Sequence, residues 1–247
     1  MKPLAGKAIL VTRPADRSDP LVRALRRSGA TPVVAPTIEV VPARSAALTR
    51  ALADLSAGRF AWIALTSRST VAMLGERLRS PAEVRASVAA IGAGTAEAFR
   101  AWARRDPDLV SPTYTTAALA QAFPRGGGRV LCARADIAPP GLEDALARKG
   151  WSPERVDAYR TRMVRSLPKQ AREALGAGRI DAITFTSAST VQGFVGAVPV
   201  VRGDPKIVCI GPVTARAARG AGLRVSAVAN PHTIDGLADA LVRVLGR

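Results

Sequence analysis

The segment Leu65-Thr66-Ser67-Arg68-Ser69-Thr70-Val71 recurs 120 positions later as Phe185-Thr186-Ser187-Ala188-Ser189-Thr190-Val191. Ile91-Gly92-Ala93-Gly94-Thr95-Ala96 likewise returns as Ile210-Gly211-Pro212-Val213-Thr214-Ala215, at an offset of 119. Leu10–Arg13 aligns with Leu131–Arg134, and Leu25…Gly29 with Leu146…Gly150, both at an offset of 121. Self-similarity at a fixed long period means two copies of one structural unit. Each phrase follows a run of apolar residues such as Ile207-Val208-Cys209-Ile210. Such runs read as strands of a parallel sheet covered on both faces, and a helical pattern follows each phrase. Two copies of this strand–loop–helix unit predict an α/β protein with two doubly wound parallel-sheet domains. Ligands of such sheets bind beyond the carboxyl ends of the strands. That selects Arg13, Thr66–Ser69, Gly92–Thr95, Arg134, Thr186–Ser189 and Gly211–Thr214 as the places for chemistry.

Read in order, the chain alternates. Strands are expected at Ala8–Val11, Thr31–Ala35, Ala61–Leu65, Ser87–Ile91, Leu109–Val110, Arg129–Cys132, Asp181–Phe185, Ile207–Ile210 and Arg224–Val228. Helices are expected at Asp19–Ser28, Ala46–Leu55, Ala117–Phe123, Gly141–Lys149 and Ile234–Leu245, with others opening at Thr95 and Thr214. Gly29 and Gly150 serve as C-caps. Thr66–Thr70 and Thr186–Ser189 read as loops, while Pro36–Pro42 and Arg155–Arg162 read as extended connections.

The 247 residues carry a net charge of +17 but only five lysines. Such a field attracts polyanions. Nucleic acid is disfavoured: the basic residues are scattered, and aromatic content of 4% leaves few stacking platforms. No apolar run approaches a membrane span, and the segment from Ala8 to Val11, cut short by Thr12-Arg13-Pro14, reads as a strand and not a signal peptide. Cys132 and Cys209 lie in strand contexts and read as small buried hydrophobes of a reducing, cytoplasmic compartment. No metal, flavin, dinucleotide or Ser-His-Asp pattern is present, so no metal or cofactor is expected. The lone His232 reads as a turn residue. Taken alone, the serines and threonines of the repeated phrases read first as helix caps, with ligand contact as the functional alternative.

Val11-Thr12-Arg13-Pro14 after the first strand, the two T-S-x-S-T-V phrases, Ile210–Ala215 with Ala221-Gly222-Leu223-Arg224-Val225 following, and Ala158-Tyr159-Arg160-Thr161 together resemble the uroporphyrinogen-III synthase family over essentially the whole chain. The resemblance implies two flavodoxin-like domains joined by a two-segment extended linker, with the active site in the cleft between them. It divides the chain into residues 1–36 with 162–247, residues 42–156, and linkers 37–41 and 157–161. It further implies cyclisation of hydroxymethylbilane, a linear tetrapyrrole rich in carboxylates, with loss of water and inversion of ring D. Tyr159 matches the family tyrosine proposed as general acid. Arg13, Ser67, Arg68, Gly94, Thr95, Arg134, Ser187, Ser189, Gly211 and Thr214 are the expected substrate contacts. One departure stands out: many relatives carry a second basic residue a few positions beyond Arg134, where this chain has Ala138-Pro139-Pro140. The expected partners are the substrate and, transiently, hydroxymethylbilane synthase, with the chain acting as a monomer. A non-catalytic relative that binds a tetrapyrrole or another polyanion is the alternative reading.

Overall fold

The caps written into the sequence mark out most of the helices. The computed structural model describes residues 2–15, 19–198 and 200–246. The first third of the chain runs β1 (Ala8–Val11), α1 (Pro20–Arg27), β2 (Thr31–Val34), β3 (Ile38–Pro42), α2 (Ala46–Ser56), β4 (Trp62–Leu65) and α3 (Arg68–Arg77). Next come β5 (Ser87–Ala90), α4 (Ala93–Ala103), β6 (Leu109–Val110), α5 (Thr116–Ala122), β7 (Arg129–Ala135), α6 (Leu142–Ala147) and β8 (Ser152–Met163). The last part holds α7 (Lys169–Gly176), β9 (Ala182–Phe185), α8 (Ala188–Ala197), β10 (Lys206–Cys209), α9 (Pro212–Gly220), β11 (Val225–Val228) and α10 (Ile234–Leu245). Asp19, Ser45, Thr115 and Thr233 each accept a hydrogen bond from the first turn of the helix they precede, satisfying donors that would otherwise be orphaned. Gly150, at φ +95°, turns the chain after α6, where a Cβ would lie 2.5 Å from the Gly126 carbonyl oxygen. Only glycine fits there.

The chain divides into two compact units: Met1–Glu39 with Arg162–Arg247, and Val40–Thr161. Unit 1 contains a five-stranded sheet ordered β11-β10-β9-β1-β2, and its strand pairs are parallel. Numbered along the chain within the unit, that order is 2-1-3-4-5, the flavodoxin-like arrangement. The other sheet is ordered β3-β8-β7-β4-β5-β6. Counting from β7 as its first strand, the run β8-β7-β4-β5-β6 gives the same 2-1-3-4-5, now circularly permuted. The repeat explains the permutation. Each copy places its first two strands in one unit and its remaining three in the other.

Both sheets are covered on both faces, which is why their strands are continuously apolar. In unit 1, Leu10, Ile183 and Phe185 face Leu175, Val191, Phe194 and Ala215, while Ile9, Val11 and Ala182 face Leu21, Leu25, Leu237 and Leu241. In unit 2, Ile63, Leu65, Leu131 and Ala133 meet Leu48, Val71, Leu74 and Phe99, and Ala64, Val130 and Cys132 meet Leu119 and Leu146.

Four details differ from the sequence reading. The expected loops Thr66–Thr70 and Thr186–Ser189 already run into helices, α3 from Arg68 and α8 from Ala188, because Ser67 and Ser187 are their N-caps. The expected extended connections are strands: β3 and the twelve-residue β8 are neighbours in the second sheet. Helices α9 and α4 open two residues before the threonines, because Gly211 and Gly92 are the N-caps and Pro212 sits where a missing N–H costs nothing. Helix α7 went unread, since it buries only Ala171 and Leu175 and follows Pro168, which offers no capping side chain.

Candidate functional site

In a 2-1-3-4-5 sheet the ligand crevice opens where the strand order reverses. In unit 2 that point lies between β7 and β4, and two expected residues, Ser67 and Tyr159, meet beside it. Ser67 caps α3, its Oγ accepting from the Thr70 amide at 3.1 Å. The Tyr159 hydroxyl lies 2.9 Å from the same Oγ. Ser67 and Thr70 hydroxyls are 3.0 Å apart, and Thr70 donates onward to the Ala133 carbonyl at 3.2 Å. Each hydroxyl has one proton, so the order is fixed: Tyr159 donates to Ser67, Ser67 to Thr70, and Thr70 to Ala133. Burial, above all, pushes the Tyr159 phenol above its ordinary pKa, against the opposing influence of the adjacent Ser67 and Ser69 hydroxyls. It is therefore protonated at neutral pH.

Arg68 donates through Nε to the Gly94 carbonyl at 3.0 Å and pairs with Glu97 at 3.0 Å, so it bridges the starts of α3 and α4. The Tyr114 ring lies against Gly92, where a Cβ would come within 2.6 Å of it. Thr95 is buried in the first turn of α4. The backbone N–H groups of these two helix starts favour negative charge.

The corresponding point in unit 1 lies between β1 and β9. Thr12 donates to the Thr184 carbonyl at 2.7 Å and Thr184 to Leu10 at 3.0 Å, tying the two strands together beneath it. Ser187 caps α8 in a reciprocal pair with Thr190, and Ser189 is half-buried in the first turn. Gly211 caps α9, where Thr214 is buried. Arg13 pairs with Asp19, the cap of α1, at 3.5 Å. His232 sits in a turn, its Nδ1 2.6 Å from the Ala229 carbonyl.

Arg134 departs from the expectation that it meets the substrate. Its side chain is 1% exposed, and one guanidinium nitrogen holds both oxygens of Glu143 at 2.9 and 3.0 Å. Its charge is neutralised inside the protein. The sequence reading paired it with Arg13 by repeat position and overlooked Glu143, nine residues on, as its partner. Tyr114 and Asp136 also escaped notice. Tyr114 lies after β6 outside any repeated phrase, and the register that brings Asp136 beside Tyr159 is not visible in a linear pattern. Cys132 and Cys209 are buried and unpaired, their thiols pushed up to about 12 and about 11, chiefly by burial. Neither is a nucleophile at neutral pH. Among the described residues no group of three or more His, Cys, Asp or Glu is placed to hold a metal, and no helix is long and apolar enough to cross a membrane.

Two parallel sheets of flavodoxin-like strand order, with hydroxyls and helix starts collected at their carboxyl ends, define the class of α/β protein to which this chain belongs. A family model described as uroporphyrinogen-III synthase HemD matches residues 19–239. The porphyrin biosynthesis protein HemD of Ruminiclostridium josui is 32% identical over 99% of this chain, which spans 50% of that protein's length. Uroporphyrinogen-III synthase of Synechococcus elongatus is 31% identical over 96% of this chain and 94% of its own. The fold is shared with a crystal structure of mutant uroporphyrinogen III synthase from Thermus thermophilus, at TM-score 0.64 and 22% identity, covering 97% of this chain and 98% of that one. A Helicobacter pylori structure gives TM-score 0.62 at 15% identity, covering 96% and 99%. The chain belongs to the uroporphyrinogen-III synthase family, the cyclising hydro-lyases of tetrapyrrole biosynthesis.

Proposed function

We propose that this chain is an active uroporphyrinogen-III synthase that converts hydroxymethylbilane to uroporphyrinogen III and water. The observation that carries the reading is Tyr159, a buried phenol held protonated beside the start of α3 at the carboxyl end of a parallel sheet. In the proposed reaction, the hydroxyl of the hydroxymethyl group on ring A leaves as water after taking the Tyr159 proton. The substituted α-carbon of ring D attacks the resulting azafulvene to give a spiro intermediate. The bond from that carbon to the bridge with ring C then breaks, and the unsubstituted α-carbon of ring D attacks the azafulvene so formed on ring C, which leaves ring D inverted. The proton lost when the macrocycle regains its pyrroles returns to the phenolate, so the cycle balances without an external acid. Pyrrole nitrogen supplies the electron push. The protein supplies geometry, because free closure gives the uninverted isomer; this is control by orientation.

The carboxylates of the substrate are matched by Arg13 and Arg68, by the hydroxyls of Ser67, Ser187 and Ser189, and by the helix starts at Gly94–Thr95 and Gly211–Thr214. Arg134 supports the sheet end without touching substrate. Action as a monomer in the cytoplasm, with the bilane received from hydroxymethylbilane synthase before it closes spontaneously, belongs to the same proposal. The test is to mix the protein with hydroxymethylbilane, oxidise, and separate the porphyrin isomers. The type III isomer should dominate without added metal or nucleotide. An isomer ratio equal to that of the protein-free control, with the protein folded, would overturn the reading.

A further inference from the structure

Pairing between β7 and β8 is regular from Arg129↔Ser152 to Arg134↔Asp157, and then Ala135 pairs with Tyr159. Ala158 is the extra residue of a β-bulge. Side chains alternate across a strand, so without the bulge Val156 and Ala158 would face one side of the sheet and Tyr159 the other. With it, Val156, Ala158 and Tyr159 all lie in the hydrophobic layer that contains Val71 and Leu74 of α3. The bulge therefore turns the phenol onto the face where Ser67 stands. Bulges re-aim side chains in this way near functional sites.

A bulge leaves the ladder locally weakened, and here one residue repairs it. The Asp136 amide donates to the Tyr159 carbonyl at 3.1 Å. β7 has ended by then, and the Asp136 Oδ1 takes over as acceptor, receiving the amides of Ile137 at 2.9 Å and Thr161 at 3.0 Å. Asp136 thus grips the chain twice immediately beyond the Tyr159 Cα, at the Tyr159 carbonyl and at the Thr161 amide. Its own carbonyl and that of Ala138 accept from Arg155, at 3.3 and 3.0 Å, which holds the gripping loop against β8.

We propose that Asp136 is a positioning residue for Tyr159, its carboxylate serving as a surrogate rung that locks the bulge and keeps the phenol on Ser67. The proposal rests on the reading of Tyr159 as proton donor, but its first test does not. The chain has two tyrosines, so Tyr114→Phe leaves Tyr159 as the sole phenol for titration by phenolate absorbance. The groups that set this titration are burial, the Ser67 and Ser69 hydroxyls at the start of α3, and the opposed charges of Asp136 and Arg134 on the β7 side. In that background Asp136→Asn keeps an amide oxygen for the Thr161 rung and loses only the charge. Asp136→Ala loses both. The midpoint should fall slightly in the Asn variant, and much further toward the free-phenol value in the Ala variant, where the phenol leaves its buried seat. Equal midpoints for the two variants would overturn the clamp.

The second test reads catalysis in the chain with Tyr114 restored. Asp136→Ala should lower kcat by up to about tenfold, no more than removing the phenol itself, with KM within twofold, and Asp136→Asn should recover most of the loss. In a Tyr159→Phe background Asp136→Ala should cost nothing further. An additional loss there shows that Asp136 acts other than through Tyr159 and overturns the proposal. A Tyr159→Phe protein with unchanged rate and isomer ratio would instead remove the proton-donor reading, leaving the titration to judge the clamp alone.

Discussion

Glu143 is where the buried charge of Arg134 can be weighed. The Arg134 side chain is 1% exposed and that of Glu143 17%, and the Arg134 Nε has no partner. Glu143→Leu would leave a guanidinium inside the protein with its counter-ion gone. Breaking a buried pair from one side costs about 3–5 kcal/mol, because the surviving charge has neither water nor partner. At about 2–4 °C per kcal/mol for chains of this size, the unfolding transition of unit 2 should fall by roughly 6–20 °C. Arg134→Met should cost less, since the Glu143 carboxylate left behind reaches solvent. The double variant Arg134→Met/Glu143→Leu should return to within about 1 kcal/mol of the wild type or exceed it, because apolar side chains of similar volume remove both desolvation penalties. Thermal and denaturant unfolding of the four proteins give the coupling energy, and steady-state assays on the double variant give KM. KM should stay within twofold. The reasoning is refuted if Glu143→Leu is as stable as wild type. It is equally refuted if the double variant is stable but binds substrate tenfold more weakly, which would mean that Arg134 does reach the substrate.

Outcomes are expected for four further variants. Tyr159→Phe should lose about tenfold in kcat, below the 10²–10⁴ of a fully committed general acid, since the pyrrole nitrogen already drives departure of the hydroxyl; Arg13→Ala should instead raise KM and the share of uninverted isomer, as added salt should by screening, and kcat, KM and isomer ratios separate the two effects. On α8, Gly193→Ala should destabilise by about 1–3 kcal/mol, because its Cβ would collide with the Thr37 carbonyl. Gly196→Ala, three residues along with nothing within 4 Å, should stabilise by about 0.5–1 kcal/mol, and denaturant midpoints compare the pair.

The positions of the strands and the helix caps were legible because they depend on local chemistry. Ile207–Cys209 is apolar since β10 is covered on both faces, and Ser67 and Ser187 precede helices because each accepts an amide of the first turn. What was not legible depends on register. Pro36–Pro42 and Arg155–Arg162 show polar residues among apolar ones, as a solvated connection would, yet they pair in a sheet where β3 lies at the edge. Pro42 is tolerated there, as an edge position need not donate, and Pro36 precedes the strand. The fate of Arg134 was hidden for the same reason. Its repeat partner Arg13 is 23% exposed beside Asp19, and only the placement of α6 decides that Arg134 meets Glu143 instead.

The repeat also shows why the two sheet ends are not chemically alike. At the offset of 121, β8 corresponds to residues 31–42, which is β2 and β3 in series. Pro36 then stands opposite Asp157, Thr37 opposite Ala158, and Ile38 opposite Tyr159. Where the second copy bulges, the first is broken and anchored. The Thr37 hydroxyl donates to the Thr190 carbonyl at 2.8 Å and lies 3.2 Å from that of Thr12, while its carbonyl accepts from Val164 at 3.1 Å. Gly193 is needed to admit that carbonyl. Thr37 is fully buried, and Ile38 beside it carries no titratable group. The capping hydroxyls and helix starts suited to carboxylates are thus present at both sheet ends, whereas the phenol is present at one. The proposed reaction, on a substrate with carboxylates along its whole length and a single departing hydroxyl, calls for that division: binding groups in duplicate, and one proton donor.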